Sequence, residues 1–184
     1  LRQVLEERRI TLARAHVTCS FPADFLLVAA MNPCPCGWYR SGKRDCRCDP
    51  AHIERYRQRI SGPLLDRIDL HVQVPPVTWR DLEHAAGHET SAQIHTRVVR
   101  AREQQQARGV LCNAAIPDGA LDDHVQADAA ARELLGRCVD RLDLSARAAR
   151  RVLRVARTIA DLAGEPRVQR GAMAEALAYR GAGG

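Results

Sequence analysis

A mixed α/β half followed by an all-helical half is the fold this sequence predicts, and three observations point to it. The run Phe25-Leu-Leu-Val-Ala-Ala-Met31 is continuously apolar, as in a strand buried on both faces of a sheet. Ile68-Asp-Leu70-His-Val72-Gln-Val74 alternates apolar and polar residues, the period of a strand. Beyond Pro75-Pro76 the strand signals stop, and the segments with regular spacing that follow are helical.

The elements follow in order. Leu1, Val4 and Leu5 share one helical face with Glu6 and Glu7 turned outward, so the sequence opens on a helix. Ile10 to Arg14 and Val17 to Phe21 are rich in β-formers and are separated by Arg14-Ala-His16, which predicts a hairpin with a basic tip. Pro22-Ala-Asp24 leads into the apolar run, read as a central strand. After a cysteine-rich loop, Pro50 to Ile60 has helical spacing, and Gly62-Pro63 breaks it. The first domain is therefore drawn as residues 1–76, with 77–92 as linker and 93–184 as a helical domain. Within the latter, a polar helix from Ala92 to Arg108 precedes an irregular stretch from Gly109 to Gly119. Two longer helices follow, Ala127 to Arg141 and Ser145 to Ala163. Ser145 is placed to cap the second and Gly164-Glu-Pro166 to stop it. A short helix from Gln169 to Tyr179 ends in a Gly-rich tail. No internal repeat or low-complexity tract interrupts this order.

A composition of 46% hydrophobic and 27% charged residues excludes a disordered chain. The apolar run at Phe25 is far shorter than the roughly 20 residues a membrane span needs, and no signal peptide opens the sequence, so a cytoplasmic protein without membrane contact is expected. Seven cysteines, odd in number with four clustered, fit a reducing compartment. The net charge of +6 comes mainly from arginine, whose forked donors suit phosphate, so nucleic acid or nucleotide is the expected partner class. A general preference for Arg over Lys in high-GC genomes gives the same charge, so position has to decide. With Leu at residue 1 and a helix already in progress there, the chain reads as the back half of something longer.

Cys34-Pro-Cys36 and Cys46-Arg-Cys48 are the strongest chemical signal. Zinc takes four soft ligands at about 2.3 Å in a tetrahedron, and two Cys-x-Cys pairs joined by a loop with Gly37 and Gly42 can supply them. Four thiolates close the coordination shell, so such a zinc would be structural rather than catalytic. Two disulfides or four free thiols are the alternatives, and His52 is a further candidate ligand in place of a cysteine. Cys19, Cys112 and Cys138 read as small buried residues without a role. His71, His84, His88 and His95 show no metal spacing.

The order LRQVLEERRITLARA, FLLVAAMNPCPCG, RYRQRISGPLLDRIDLHVQVP and LSARAARRVLRVARTIADL resembles the C-terminal half of the magnesium-chelatase-like AAA+ ATPases of the ComM/YifB family, over nearly the whole chain. The magnesium chelatase ATPase subunit and the minichromosome-maintenance helicases are more distantly similar. The resemblance implies a partial AAA+ (P-loop NTPase) core with a pre-sensor hairpin and a zinc loop at 34–48, followed by a helical lid. It places Asn32 as sensor 1, whose amide can donate to phosphate oxygen and accept from the attacking water. It places Arg67, in Leu64-Leu-Asp-Arg67-Ile-Asp69, as an arginine finger, and Arg147 as the sensor 2 arginine. Without the family context, Asn32-Pro33 reads as a turn initiator and Arg67 as a surface arginine paired with Asp66 or Asp69. Arg150, Arg151, Arg154 and Arg157, on the same predicted helix as Arg147, are expected to be solvated or packed by their stems. Arg14, extended by Arg8, Arg9 and His16, would be the hairpin's basic contact to DNA phosphates; an ordinary exposed turn arginine is the alternative.

No Gly-x-x-x-x-Gly-Lys-Ser/Thr loop occurs, Gly42-Lys43 being followed by Arg44, and no apolar strand ends in Asp-Glu. By resemblance both lie upstream, so ATP and Mg²⁺ are expected only with the upstream half. The function implied is a ring-forming ATPase, a hexamer by resemblance, acting as a DNA helicase or branch-migration motor in DNA uptake and recombination. The alternatives are an ATPase that remodels a chelatase partner and a zinc-stabilised binding module without activity.

Overall fold

The computed structural model describes residues 2–14, 17–83 and 89–181. Leu1, His16, His84, His88, part of the predicted linker and the end of the Gly-rich tail lie outside them. The chain divides into two compact units, Leu1–Ile68 and Asp69–Gly184.

In the first unit, helix α1 (Arg2–Glu7) ends where Arg8 turns left-handed at φ 52, with its N–H on Val4 O at 2.9 Å. The chain then enters β1 (Arg9–Arg14), which pairs antiparallel with β2 (Val17–Pro22) from Arg9↔Pro22 to Arg14↔Val17. Arg8 O accepts from Ala23 N–H at 2.8 Å and so ties off the open end of this hairpin. Every described position of both strands is exposed, so neither face of the ribbon is covered. Helix α2 (Pro50–Arg57) starts with Asp49 accepting from Ala51 N–H at 2.9 Å, a cap followed by proline in the first turn. Gly62-Pro63 does end the preceding helical stretch, but it also opens one further turn, α3 (Gly62–Leu65).

The two predicted core strands are not formed. Residues 25–31 and 68–74 run without ladder hydrogen bonds, and most of their apolar side chains face solvent, Leu26 being 89% exposed, Val28 84% and Val74 84%, while Leu27 and Ile68 are half-buried. A strand buried on both faces exists only through neighbours that pair with its edges and cover its faces. Among the described residues the only sheet is β1–β2, and neither segment joins it. The α/β half is thus a two-stranded ribbon with short helices.

The second unit has a well-packed core. Helix α4 (Trp79–Glu83) occupies part of the predicted linker, where Thr78 and Asp81 cap each other reciprocally. Helix α5 (Ser91–Ala107) begins in a Thr90–Gln93 capping box. Two 3₁₀ turns, Asn113–Ala115 and Asp118–Ala120, lead into α6 (Leu121–Val125). Helix α7 (Ala129–Leu142) is capped by Asp128 on Ala131 N–H at 2.7 Å. Helix α8 (Ala146–Ala163) starts from Ser145, which accepts from Ala148 N–H at 3.2 Å, and stops at Gly164, φ 74, in the left-handed region where glycine carries no steric penalty. Helix α9 (Arg170–Gly181) closes the unit. Ala148, Val152, Ala156 and Ala160 recur every four residues along α8, and the last three meet Ile116, Leu121, Val125, Val168, Met173 and Leu177 in one cluster. Small residues on α8 let the neighbouring helices approach closely.

A buried ionic cluster crosses this core. Arg157, expected to be solvated or packed by its stem, is only 1% exposed, its charged head buried with the rest. Its guanidinium donates to Asp161 at 3.0 Å, to Pro166 O at 3.0 Å and to Glu165 O at 2.6 Å. Asp161, equally buried, also accepts from Asn113 at 2.8 Å and from Arg108 at 2.5 Å. Arg157 thereby satisfies carbonyls of the turn that follows α8, and with Asp161 as its counter-charge this accounts for a charge that deep. Arg154 reaches Ile116 O at 2.8 Å and shares Asp118 with Arg150, while Arg151 pairs with Asp69 at 2.6 Å. Replacing Asp161 by alanine leaves Arg157 buried without its counter-charge, and is expected to cost about 3–5 kcal/mol. Thermal melting followed by circular dichroism should show a drop of roughly 10 °C, whereas a surface-type pair would give almost none.

Candidate metal centre and charged side chains

The cysteine loop converges as its spacing requires. Cys34-Pro-Cys36-Gly37 forms a tight turn, with Gly37 N–H on Cys34 O at 3.0 Å, Pro35 at the position that favours its fixed φ, and Gly37 at φ 80. The sulfurs of Cys34, Cys36, Cys46 and Cys48 all lie within 4.8 Å of one another. Three of the separations are 3.3, 3.7 and 3.7 Å. A tetrahedron of sulfurs about 2.3 Å from zinc has edges of about 3.8 Å. A disulfide would bring two sulfurs to about 2.05 Å, and all seven cysteines are free thiols. His52 stands outside the cluster.

The local electrostatics also fit a cation. The Trp38 N–H and the neighbouring Cys34 draw the Cys36 thiol down to about 6. Burial opposes ionisation of Cys34, but the Tyr39 N–H, 3.4 Å from its sulfur, and other donors leave it lowered. Cys46 receives the Cys48 N–H, yet burial and the sulfurs of Cys36 and Cys34 raise it. Cys48 receives the Cys36 N–H, which alone would lower it, yet the crowded sulfurs and burial push it up to about 12. Sulfurs this close cannot all ionise without a positive charge among them. A divalent cation would remove that conflict, and backbone N–H groups on thiolate sulfur are the outer support such a centre uses. Cys34, fully buried, anchors the set; Cys46 and Cys48 are half-buried and Cys36 is exposed. The other cysteines correct the expectation that they are buried: Cys19 is exposed on β2, and Cys112 and Cys138 are half-buried, the latter against the helical core.

Asn32 is exposed and lies two residues before Cys34, so the turn at the metal centre fixes the chain just beyond it. Arg14 is the exposed last residue of β1, at the loop end of the hairpin. Arg67 follows α3, its side chain 14% exposed, with its guanidinium 2.7 Å from Glu6 and 2.5 Å from Pro63 O. The guanidinium reaches back to Glu6 on α1, 61 positions earlier in the chain, a contact that sequence reasoning missed. Arg147 is exposed on the first turn of α8, where the helix N-terminus favours anions. Among the described residues no helix is long and apolar enough to cross a membrane.

Comparison with known proteins agrees with this layout. Residues 1–82 match the family model for magnesium chelatase subunit ChlI, and residues 88–180 match that for the ChlI C-terminal region. Competence protein ComM of Haemophilus influenzae is 41% identical over 181 residues, 98% of this chain and 35% of that protein. YifB of Salmonella typhimurium is 37% identical over the same length and the same shares. An uncharacterized protein of Mycobacterium tuberculosis is 40% identical over 187 residues, covering all of this chain and 37% of its own. The chain therefore spans about a third of the length of the curated relatives it matches. It belongs to the magnesium chelatase ChlI family of AAA+ proteins, and corresponds to the C-terminal half of the ComM- and YifB-like members.

Proposed function

We propose that the protein to which this chain belongs is a ring-forming AAA+ ATPase that couples ATP hydrolysis to movement of DNA, a helicase or branch-migration motor of the ComM type acting in DNA uptake and recombination. The observation that carries this reading is the 41% identity to competence protein ComM along 98% of the chain. The ring is a hexamer, and each ATP site draws on Asn32 to orient the attacking water, Arg67 to stabilise transition-state charge from the neighbouring subunit, and Arg147 to sense the γ-phosphate. Arg14 contacts DNA phosphates, so its contribution is salt-dependent and indifferent to sequence. Residues 1–76 act as the later part of the AAA+ core, 77–92 as linker and 93–184 as the lid. The bound metal is zinc, held by Cys34, Cys36, Cys46 and Cys48, and its task is to keep the loop after Asn32 rigid. Placement is cytoplasmic.

The test is steady-state ATP hydrolysis by the intact protein with and without DNA, together with strand displacement on a labelled fork. DNA-stimulated turnover and displacement are expected, and Arg14→Gln should reduce the stimulation while leaving DNA-free turnover near its original value. A second reading rests on the family descriptions themselves, which are of a magnesium chelatase subunit. In that reading the ring remodels a partner that inserts Mg²⁺ into a porphyrin. ATP turnover indifferent to DNA, together with stimulated metal insertion, would put it first.

A further inference from the structure

Between Gly37 and Cys48 the metal loop carries Trp38, Tyr39, Arg40, Lys43, Arg44 and Arg47. The four cations face one acid, Asp45, so a net +3 of the chain's +6 sits on a dozen residues. The aromatic rings are already engaged with guanidinium groups. Arg44 lies 4.9 Å from the Trp38 ring centroid, and Arg40 and Arg57 each lie 5.3 Å from that of Tyr39. A guanidinium held over a ring by its face has its N–H edges directed away from the ring, ready for phosphate oxygens. Among the described residues no ion pair engages Arg40, Arg44 or Arg57. Arg40 holds a left-handed φ of 56, a conformation that a non-glycine residue keeps at an energetic cost, and Gly42 follows at φ 68. The same stretch lines an open depression of about 400 Å³, with Trp38, Arg40, Lys43, Arg44, the acid Asp45 and Cys46 of the metal cluster on its wall. Cationic edges beside stacked aromatic planes, on a loop tied to a rigid centre, are the elements of a single-strand binding surface.

We propose that this face of the metal loop binds single-stranded nucleic acid, with Arg40, Lys43 and Arg44 on the phosphates and an unpaired base stacked at the Trp38–Arg44 pair. The inference deepens the DNA-motor reading and rests on it, adding a contact separate from Arg14. The cations have one competing use. A zinc tetrathiolate carries a formal charge of −2, and neutralising it would be their whole role if they served only the metal.

The test measures binding of a labelled oligothymidylate to the full chain across a salt series, with metal content determined in parallel. Removing two phosphate contacts in Arg40→Gln/Arg44→Gln should lower the salt slope by about 1.4 and weaken binding about 25-fold near 0.1 M salt, with the metal retained. Unchanged affinity and slope, while Arg14→Gln still weakens binding, would overturn the proposal and leave the DNA reading standing. Absence of oligothymidylate binding by the parent chain would overturn both. Loss of metal along with binding would assign the cations to the metal charge and also overturn it. Displacement of the oligonucleotide by polyglutamate at equal charge concentration would reassign the face to an acidic protein surface. A second readout leaves the loop intact. Trp79 is 73% exposed, and Trp79→Phe leaves Trp38 as the only tryptophan of the two in the chain. Oligothymidylate should quench its emission by stacking, and an unchanged spectrum at saturation would overturn the proposed base contact.

Discussion

Cys34→Ser is expected to strip the chain of its metal and release the segment between Asn32 and Asp49. Cys34 is the one fully buried sulfur of the cluster and lies in contact distance of both Cys36 and Cys46. Its loss removes a ligand and the anchor of the turn together. The loop has little else to hold it: short turns, the capped start of α2 and the aromatic–cation contacts. Structural zinc in small peptides contributes an apparent 10–16 kcal/mol at neutral pH, so this is the largest single effect expected in the molecule. Elemental analysis should fall from one zinc per chain to near zero. Cobalt substitution of the parent should give the intense thiolate-to-metal absorption of a tetrahedral sulfur site, absent in the variant. Cys19→Ser, which changes an exposed thiol outside the cluster, should retain the metal and serves as the control. Protons compete with the metal for the same sulfurs, so retention is lost as pH falls, never as it rises through neutrality. A variant that keeps full metal content would show that the metal does not depend on Cys34, and a parent chain without metal would show four free thiols.

Arg67→Ala in the intact protein is expected to lower ATP turnover by roughly three to five orders of magnitude while leaving KM for ATP within a few-fold. An arginine finger acts on charge that develops only in the transition state, so its loss falls on kcat. The structure adds a mechanical condition. The guanidinium lies on Glu6 and Pro63 O, so to reach a neighbour's nucleotide it must exchange the Glu6 carboxylate for phosphate. The pair is only partly exposed, its side chains 14% and 32% accessible, and a triphosphate offers the guanidinium a more highly charged partner than one carboxylate. Mixing Arg67→Ala subunits with subunits unable to bind ATP should restore part of the activity, because each supplies what the other lacks. If Arg67 serves only to pin α1, the alanine variant will instead lose about 1 kcal/mol of stability and turn over ATP at the parental rate.

Local chemistry made the helices legible. Ser145, Gly164 and the hairpin around Arg14 announced their elements, because a cap or turn depends on only a few adjacent residues. The four cysteines were legible for a related reason: thiol chemistry at short spacing leaves few geometries. Phe25–Met31 and Ile68–Val74 read as strands because their patterns are those of strands, but a strand is a property of its neighbours, and none pairs with them here. Arg157 escaped because nothing in a run of five arginines distinguishes the one whose helix position faces inward toward Asp161 and the end of α8. The Glu6–Arg67 pair and the Asn113–Asp161 bond join residues far apart in sequence, where pattern carries no information.

The bare apolar runs have a consequence for handling the chain. Leu26, Val28, Val72 and Val74 lie on segments with high β-propensity and little cover, and such segments template one another edge to edge. Concentration rather than temperature then sets the working limit of a preparation, because self-association through these stretches needs no unfolding of the helical core. Two lysine-bearing gatekeepers, Leu26→Lys and Val74→Lys, sit at the most open positions and would blunt that route without touching the metal loop or α8.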